Sequence, residues 1–198
     1  IIISLLFLSM FGSVGFVRGD TETANPSTYH KAYYFASTSD ANWSQVGTEV
    51  SAENYNAMAS SDDTDYAVPM GPNRYSYVRV EFNISKICAD NGFVIIDITN
   101  INLKVEGESH TPDPDGMYLA IYDDNDALWR TANSTEIDGI WSHTNDGDTT
   151  LEVDCYDSIT DYIDSNGIFY ASFRSAIDNL GPTIHNIDYV LLTVTSSI

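Results

Sequence analysis

The sequence predicts an all-β fold, an antiparallel β-sandwich of jelly-roll type with one or two short helices. Three observations carry that expectation. Apolar residues recur at alternate positions in several segments, the repeat of a half-buried strand. β-Branched and aromatic residues crowd those segments, and the 198 residues include 13 Tyr, 8 Phe and 3 Trp. Turn-forming clusters separate them: Gly71-Pro72-Asn73, Asp90-Asn91-Gly92, Pro112-Asp113-Pro114-Asp115-Gly116, Asn145-Asp146-Gly147 and Ser165-Asn166-Gly167. A chain of this length makes one domain and buries roughly 70% of its unfolded surface.

Taken in order, residues 1–17 form an apolar run broken only by Ser and Gly and followed by Arg18-Gly19-Asp20. The run is short for a spanning helix and suits a secretory signal, with Val17 and Gly19 as the small residues before a cleavage at Asp20. We therefore expect a signal peptide over 1–19, truncated at its start because no basic residue precedes the run. An uncleaved anchor and a filament subunit that keeps its apolar segment are the alternatives. Residues 20–28 read as a linker and 29–198 as one sandwich domain. Within it, strands are expected at 29–36, 74–84, 93–105, 117–122, 149–153, 167–173 and 189–195. A phase change near Thr99-Asn100 marks a bulge or bend. Short helices are expected within 49–59 and at 157–163, the second with Asp157 as N-cap and Tyr162-Ile163 turned inward.

Charge narrows the partners. Eight bases against 29 acids leave a formal charge of −21. Phosphate backbones are bound through Lys and Arg, so a nucleic-acid partner is excluded, and anionic membrane surfaces are disfavoured for the same reason. With the signal removed, no membrane insertion is expected. A hydrophobic content of 43% separates the chain from disordered acidic proteins.

The segments Tyr29-His30-Lys31-Ala32-Tyr33, Val80-Glu81-Phe82-Asn83-Ile84, Met117-Tyr118-Leu119-Ala120-Ile121-Tyr122 with Trp129, and Asp188-Tyr189-Val190-Leu191-Leu192-Thr193-Val194 resemble secreted archaeal jelly-roll modules. Those modules belong to surface-associated and polysaccharide-binding proteins. The resemblance implies a fold and a secreted or cell-surface location, and it carries no site residues onto this chain.

Cys88 and Cys155 are the two cysteines and have no zinc or redox spacing. In an exported chain they suggest one disulfide, worth about 4 kcal/mol on the chain-entropy model; two buried thiols are the alternative. Sequons at Asn42, Asn83 and Asn133 fit N-glycosylation in the same compartment. Oxygen-rich loops offer Ca²⁺ ligands at Asp113 and Asp115, at Asp123, Asp124 and Asp126, and at Asn145, Asp146 and Asp148. The first two loops flank one strand and lie roughly 20 Å apart, so they cannot share an ion. The alternative for each is a solvated turn.

No nucleophile elbow, P-loop, dinucleotide turn or His-Glu-x-x-His motif occurs. The acids offer so many pairings that spacing cannot single out a glycosidase pair. The expectation is accordingly a non-catalytic module. Aromatic rings stack on sugar C–H faces while polar neighbours bond the hydroxyls, which points to Trp43, Trp141, and Trp129 with Arg130 as ligand contacts. Tyr33, Tyr75, Tyr77, Tyr118 and Tyr189 read mostly as core. The expected role is recognition of a polysaccharide or attachment to a cell-envelope component, with calcium stiffening loops. A self-assembling surface-layer or filament subunit is the first alternative and a glycan-active hydrolase the second.

The acidic excess also resembles proteins adapted to saline media. Self-repulsion is screened as the Debye length falls from about 10 Å at 0.1 M salt to about 3 Å at 1 M. The melting temperature should therefore rise with NaCl across that range, and a flat or falling curve overturns the reading.

Overall fold

A computed structural model describes residues 29–58, 66–69, 73–110, 116–143, 149–175 and 184–197. The chain forms the expected all-β sandwich. Its strands are β1 (His30–Ser37), β2 (Thr48–Glu49), β3 (Tyr66–Ala67), β4 (Tyr75–Asn83), β5 (Ile98–His110), β6 (Met117–Asp123), β7 (Leu128–Arg130), β8 (Ile137–Ile140), β9 (Ser142–His143), β10 (Thr149–Cys155), β11 (Ile168–Ser175) and β12 (Ile184–Ser196). One sheet runs β2-β1-β4-β11-β6-β7, with β9 also paired to β6, and the other runs β3-β12-β5-β10-β8. Every pairing is antiparallel. From β4 onward the longer strands alternate between the sheets in the order β4, β5, β6, β10, β11, β12. Each connection therefore crosses the sandwich, as in wound β-sandwiches.

Alternation of side chains builds the core between the sheets. Val78, Val80, Phe82, Leu119, Ile121, Phe169 and Phe173 from one sheet meet Ile101, Leu103, Val105, Leu151, Val153, Leu192 and Val194 from the other, all buried. Each such side chain contributes about 1.5–3 kcal/mol on leaving water. The expected irregularity near Thr99 is present: Thr195 pairs with Asn100 and Ser196 with Ile98, which leaves Thr99 as the extra residue of a bulge.

The described residues hold two short α-helices, as expected in number, but one lies where the sequence reading put a strand end and a turn. The helix within 49–59 is α1 (Ala52–Ala57), with Ser51 Oγ accepting from Asn54 N. A second helix, α2 (Ile84–Asn91), replaces the end of the expected strand 74–84 and the turn that follows. Asn83 stops the strand by capping this helix, its Oδ1 accepting from Lys86 N at 2.9 Å, and Gly92 closes it at φ 77°, a conformation that favours glycine. The expected start of a strand at 93 is instead a 3₁₀ turn, Ile95–Asp97. At 157–163 a 3₁₀ turn, Ile159–Tyr162, follows Ser158 rather than Asp157, while Tyr162 and Ile163 do turn inward.

The disulfide is a correction. Cys88 on α2 and Cys155 at the end of β10 are free thiols, both buried in the main core. Burial raises both thiol pKa values, that of Cys88 to about 11, so they behave as small apolar residues.

A polar seam interrupts the core where β4, β11 and β12 meet. Ser76 Oγ lies 2.5 Å from His185 Nδ1, and Ser76 N donates to Ser175 Oγ at 3.0 Å. All three residues are almost wholly buried. Burial first, and the charge of His143 second, lower the His185 pKa to about 3. An unfolded His takes up a proton below about 6.5, whereas the folded one stays neutral down to about 3. His185 therefore contributes stability above pH 6.5 that is lost as pH falls, by up to about 1.4 kcal/mol per pH unit. In urea melts between pH 6.5 and 5, above the main carboxylate range, His185→Gln should flatten this slope relative to the parent. Parallel slopes would overturn the assignment.

Candidate functional site

The outward face of the larger sheet departs from what a solvated sheet face requires. On β1 the outward positions are Lys31, Tyr33, Phe35 and Ser37; on β4 they are Tyr75, Tyr77, Arg79 and Glu81. On β11 they are Tyr170, Ser172 and Arg174, and on β6 Tyr118, Ala120 and Tyr122, with Trp129 following on β7. Strand register sets them in rows. Phe35, Tyr77, Arg174 and Tyr118 form one row, and Tyr33, Arg79, Ser172 and Ala120 the next. Tyr122 pairs with Trp129 at the far edge.

The loop between β1 and β2 covers one end of this face. Phe35 stacks on Tyr77 with centroids 4.6 Å apart, and Trp43 meets Tyr77 edge-on at 5.5 Å. Tyr77 Oη donates to Ser39 O at 2.7 Å, and Arg79 Nη1 donates to Ser44 O at 2.7 Å. Gly47 lies so close to β1 that a Cβ there would stand 1.9 Å from Tyr34 O, so the loop can press down only with glycine at that position. Burial pushes the Tyr77 phenol up to about 12, which keeps it a hydrogen-bond donor at any ordinary pH.

The other end is open. Tyr122 contacts Trp129 at 5.3 Å and Tyr170 at 6.2 Å. The Arg79 guanidinium lies 4.7 Å over the Tyr170 ring, and that of Arg174 lies 4.2 Å from Tyr118, 4.8 Å from Tyr75 and 5.3 Å from Trp43. Tyr170 Oη donates to Asp164 Oδ2 at 2.8 Å. Burial works to raise the Asp164 pKa, but hydrogen bonds from Ile168 N, Tyr170 Oη and Asn166 outweigh it and hold the carboxyl below its ordinary value. A charged Asp164 thus fixes the tilt of the Tyr170 ring.

Four polar atoms on this face are buried without a hydrogen-bond partner: Arg79 Nε, Arg174 Nε, Ser172 Oγ and Trp129 Nε1. Buried polar groups nearly always find a partner, and packing of rings over these atoms leaves them unpaired, as it leaves Tyr66 Oη and His185 Nε2 unpaired in the core. The opposite outer face, on the smaller sheet, also holds one such atom, Asn100 Oδ1, beside a network of amide–carboxylate bonds. There Asn100 Nδ2 and Asn102 Nδ2 donate to Asp154 Oδ1, at 2.8 and 3.1 Å, and Asn102 Nδ2 also to Glu152 Oε1 at 3.0 Å.

The residues singled out from sequence fare unequally. Trp43 and Trp141 are not exposed platforms but are each only 8% accessible. Trp43 is held under the β1–β2 loop, and Trp141 joins the main core with its Nε1 bonded to Asn133 Oδ1. Trp129 does reach the aromatic face. Its neighbour Arg130 points to the opposite side, where Nε and Nη2 donate to Asp123 Oδ2 at 2.9 and 2.6 Å and Nη2 also contacts Asp126. Trp129 and Arg130 therefore do not act together. The carboxylates of Asp123 and Asp126 already share a guanidinium, and Asp124 is exposed. Asp113, Asp115, Asn145, Asp146 and Asp148 lie outside the described residues. Among the described residues no group of three or more His, Cys, Asp or Glu is placed to hold a metal ion, and no helix is long and apolar enough to cross a membrane.

The sequons occupy structural positions. Asn42 Nδ2 donates to Ser37 Oγ and Gln45 Oε1, Asn83 caps α2, and Asn133 accepts from Gly139 N and Trp141 Nε1. Sequence reasoning missed Arg79 and Arg174 and placed Tyr33, Tyr75, Tyr77, Tyr118 and Tyr189 mostly in the core, where Tyr77 alone of the five is buried. The available signal was the phase change between Tyr77 and Val78, which puts apolar residues on both faces of β4.

Because Trp43 is packed rather than exposed, Trp43→Ala should cost about 3 kcal/mol or more, read as a shift in the urea midpoint at constant slope. Trp129→Ala should cost less than half as much. Equal costs would contradict the placement of the two rings. Compared with known proteins, the chain matches no protein-family model and no curated protein sequence.

Proposed function

We propose that this protein is a non-catalytic glycan-recognition module of a secreted or cell-surface protein, and that it binds sugar chains across the outer face of its larger sheet. One observation carries the reading. An open array of half-buried rings, Tyr75, Tyr118, Tyr122, Tyr170 and Trp129, is interleaved with the guanidinium groups of Arg79 and Arg174. A pyranose ring presents apolar C–H faces and hydroxyls that both donate and accept, and this mixture satisfies such a surface. Nucleobases also stack on rings, but their phosphates would meet the field of a chain carrying −21. The apolar run at 1–17 and the three sequons support export.

Binding is to be measured on a glycan array and then by calorimetry with the best neutral oligosaccharide. Tyr122→Ala and Trp129→Ala should each weaken binding by about tenfold, as for other aromatic anchors, with little change in melting temperature. Absence of binding to any glycan, or binding untouched by both substitutions, would overturn the proposal.

A further inference from the structure

Resting on that reading, we infer that the site engages one sugar unit at a time, a chain end or a one-unit branch, against Tyr122, Trp129 and Tyr170, and does not lie along a flat glycan ribbon. These rings stand on the neighbouring strands β6, β7 and β11, with Tyr122 in the middle. Their planes turn sharply from strand to strand. Tyr122 meets Tyr170 at 83° with centroids 6.2 Å apart, and it meets Trp129 at 52° with centroids 5.3 Å apart.

A ribbon such as a β-1,4-linked glucan shows the C–H faces of successive units in nearly parallel planes. Stacking along it takes neighbouring rings in one plane, because dispersion contact is lost as a ring tilts away from the face it covers. Here neither neighbouring pair shares a plane. Nor does the array continue along the strand: the next ring on β6 is Tyr118, four residues or about 13 Å away, and Ala120 between them is buried. Tyr118 belongs with Tyr75 to the group around Arg174. A unit that projects from its chain, in contrast, can turn to meet rings set at an angle.

The tilts are fixed before any ligand arrives. Tyr170 Oη donates to Asp164 Oδ2 at 2.8 Å, and Asp164 Oδ1 accepts from Asn166 N at 2.8 Å and Ile168 N at 2.9 Å. The Arg79 guanidinium covers one face of the same ring at 4.7 Å and is itself tied to Ser44 O. Trp129 keeps its Nε1 buried, so the indole offers carbon, and not its N–H, to the outside. Rings held in this way cannot rotate into a common plane without breaking these contacts, and a geometry set in advance favours the shape it matches.

The test uses the full chain. Its probes are the methyl glycoside, disaccharide and hexasaccharide of the neutral glucan, mannan, galactan, xylan and chitin series, with microcrystalline cellulose and crystalline chitin as flat surfaces. In calorimetry the three soluble probes of the best-bound series should bind within about threefold of one another, one protein to each chain, and neither crystal should retain the protein. Trp129→Ala and Tyr122→Ala should each weaken the methyl glycoside and the hexasaccharide by the same factor, since both rings meet the same unit. An affinity that rises more than about threefold with chain length, retention on either crystal, or a larger loss for the hexasaccharide than for the methyl glycoside overturns this inference alone. Chain length and crystal retention are read on the unsubstituted protein, so they decide the matter even where a variant does not fold. No binding by any probe overturns the glycan reading and this inference together.

Discussion

Strand β4 is packed on both of its faces, and the rest of the structure depends on that constraint. Inward, Val78, Val80 and Phe82 enter the core between the sheets. Outward, Tyr77 is fully buried between Phe35 and Trp43, and Arg79 is tied to the loop at Ser44. The strand pairs along its length with β1 and β11, so it has no free edge either. A strand confined on all sides cannot shift register without moving both apolar sets at once. The rows of side chains on the outer face are therefore held by the sandwich itself rather than by a loop.

That rigidity matters because the outer aromatic layer is not needed to complete the sandwich. On the smaller sheet amides and carboxylates bond one another across β5 and β10, with Asn100 Oδ1 alone among them buried without a partner. On the larger sheet the same alternation yields rings, two guanidinium groups stacked on them, and buried donors with nothing to bond. Each cation–π contact returns only about 0.5–1 kcal/mol at a partly exposed site. An unsatisfied buried donor costs about 1–3 kcal/mol, so packing alone does not favour the arrangement. Rings held in place by the sheet beneath them and the cations beside them would lose little entropy on meeting a ligand.

The fold was largely legible in the sequence, because period-two alternation and turn clusters report directly on strands that bury one face. What escaped was the helix from Ile84 to Asn91. Ile84 extends the alternation of β4, and Asn83 reads as a sequon, although the same Asn with Gly92 nine positions later also spells a helix with both caps. The site was legible only in kind. Aromatic residues were the right chemistry, but exposure cannot be read from loop context: Trp43 lies beside Asn, Asp and Ser, yet the loop folds back and buries it. The tyrosines of β4 looked like core because alternation cannot say which of two apolar faces is the inner one. Arg174 gave no signal, since three of its ring contacts come from positions remote from it in sequence.

The acidic excess takes on a narrower meaning beside this geometry. Most carboxylates with described partners do structural work: Asp164 orients Tyr170, Asp123 and Asp126 hold Arg130, and Glu136 accepts from Tyr162 Oη at 2.6 Å. Their sum still sets a field in which any anion approaches at a cost. Specificity is a difference of affinities, and it can come from penalising the wrong ligand as well as from rewarding the right one. A ligand without net charge escapes that cost, and this is the direction of selection that a chain carrying −21 imposes on whatever meets its surface.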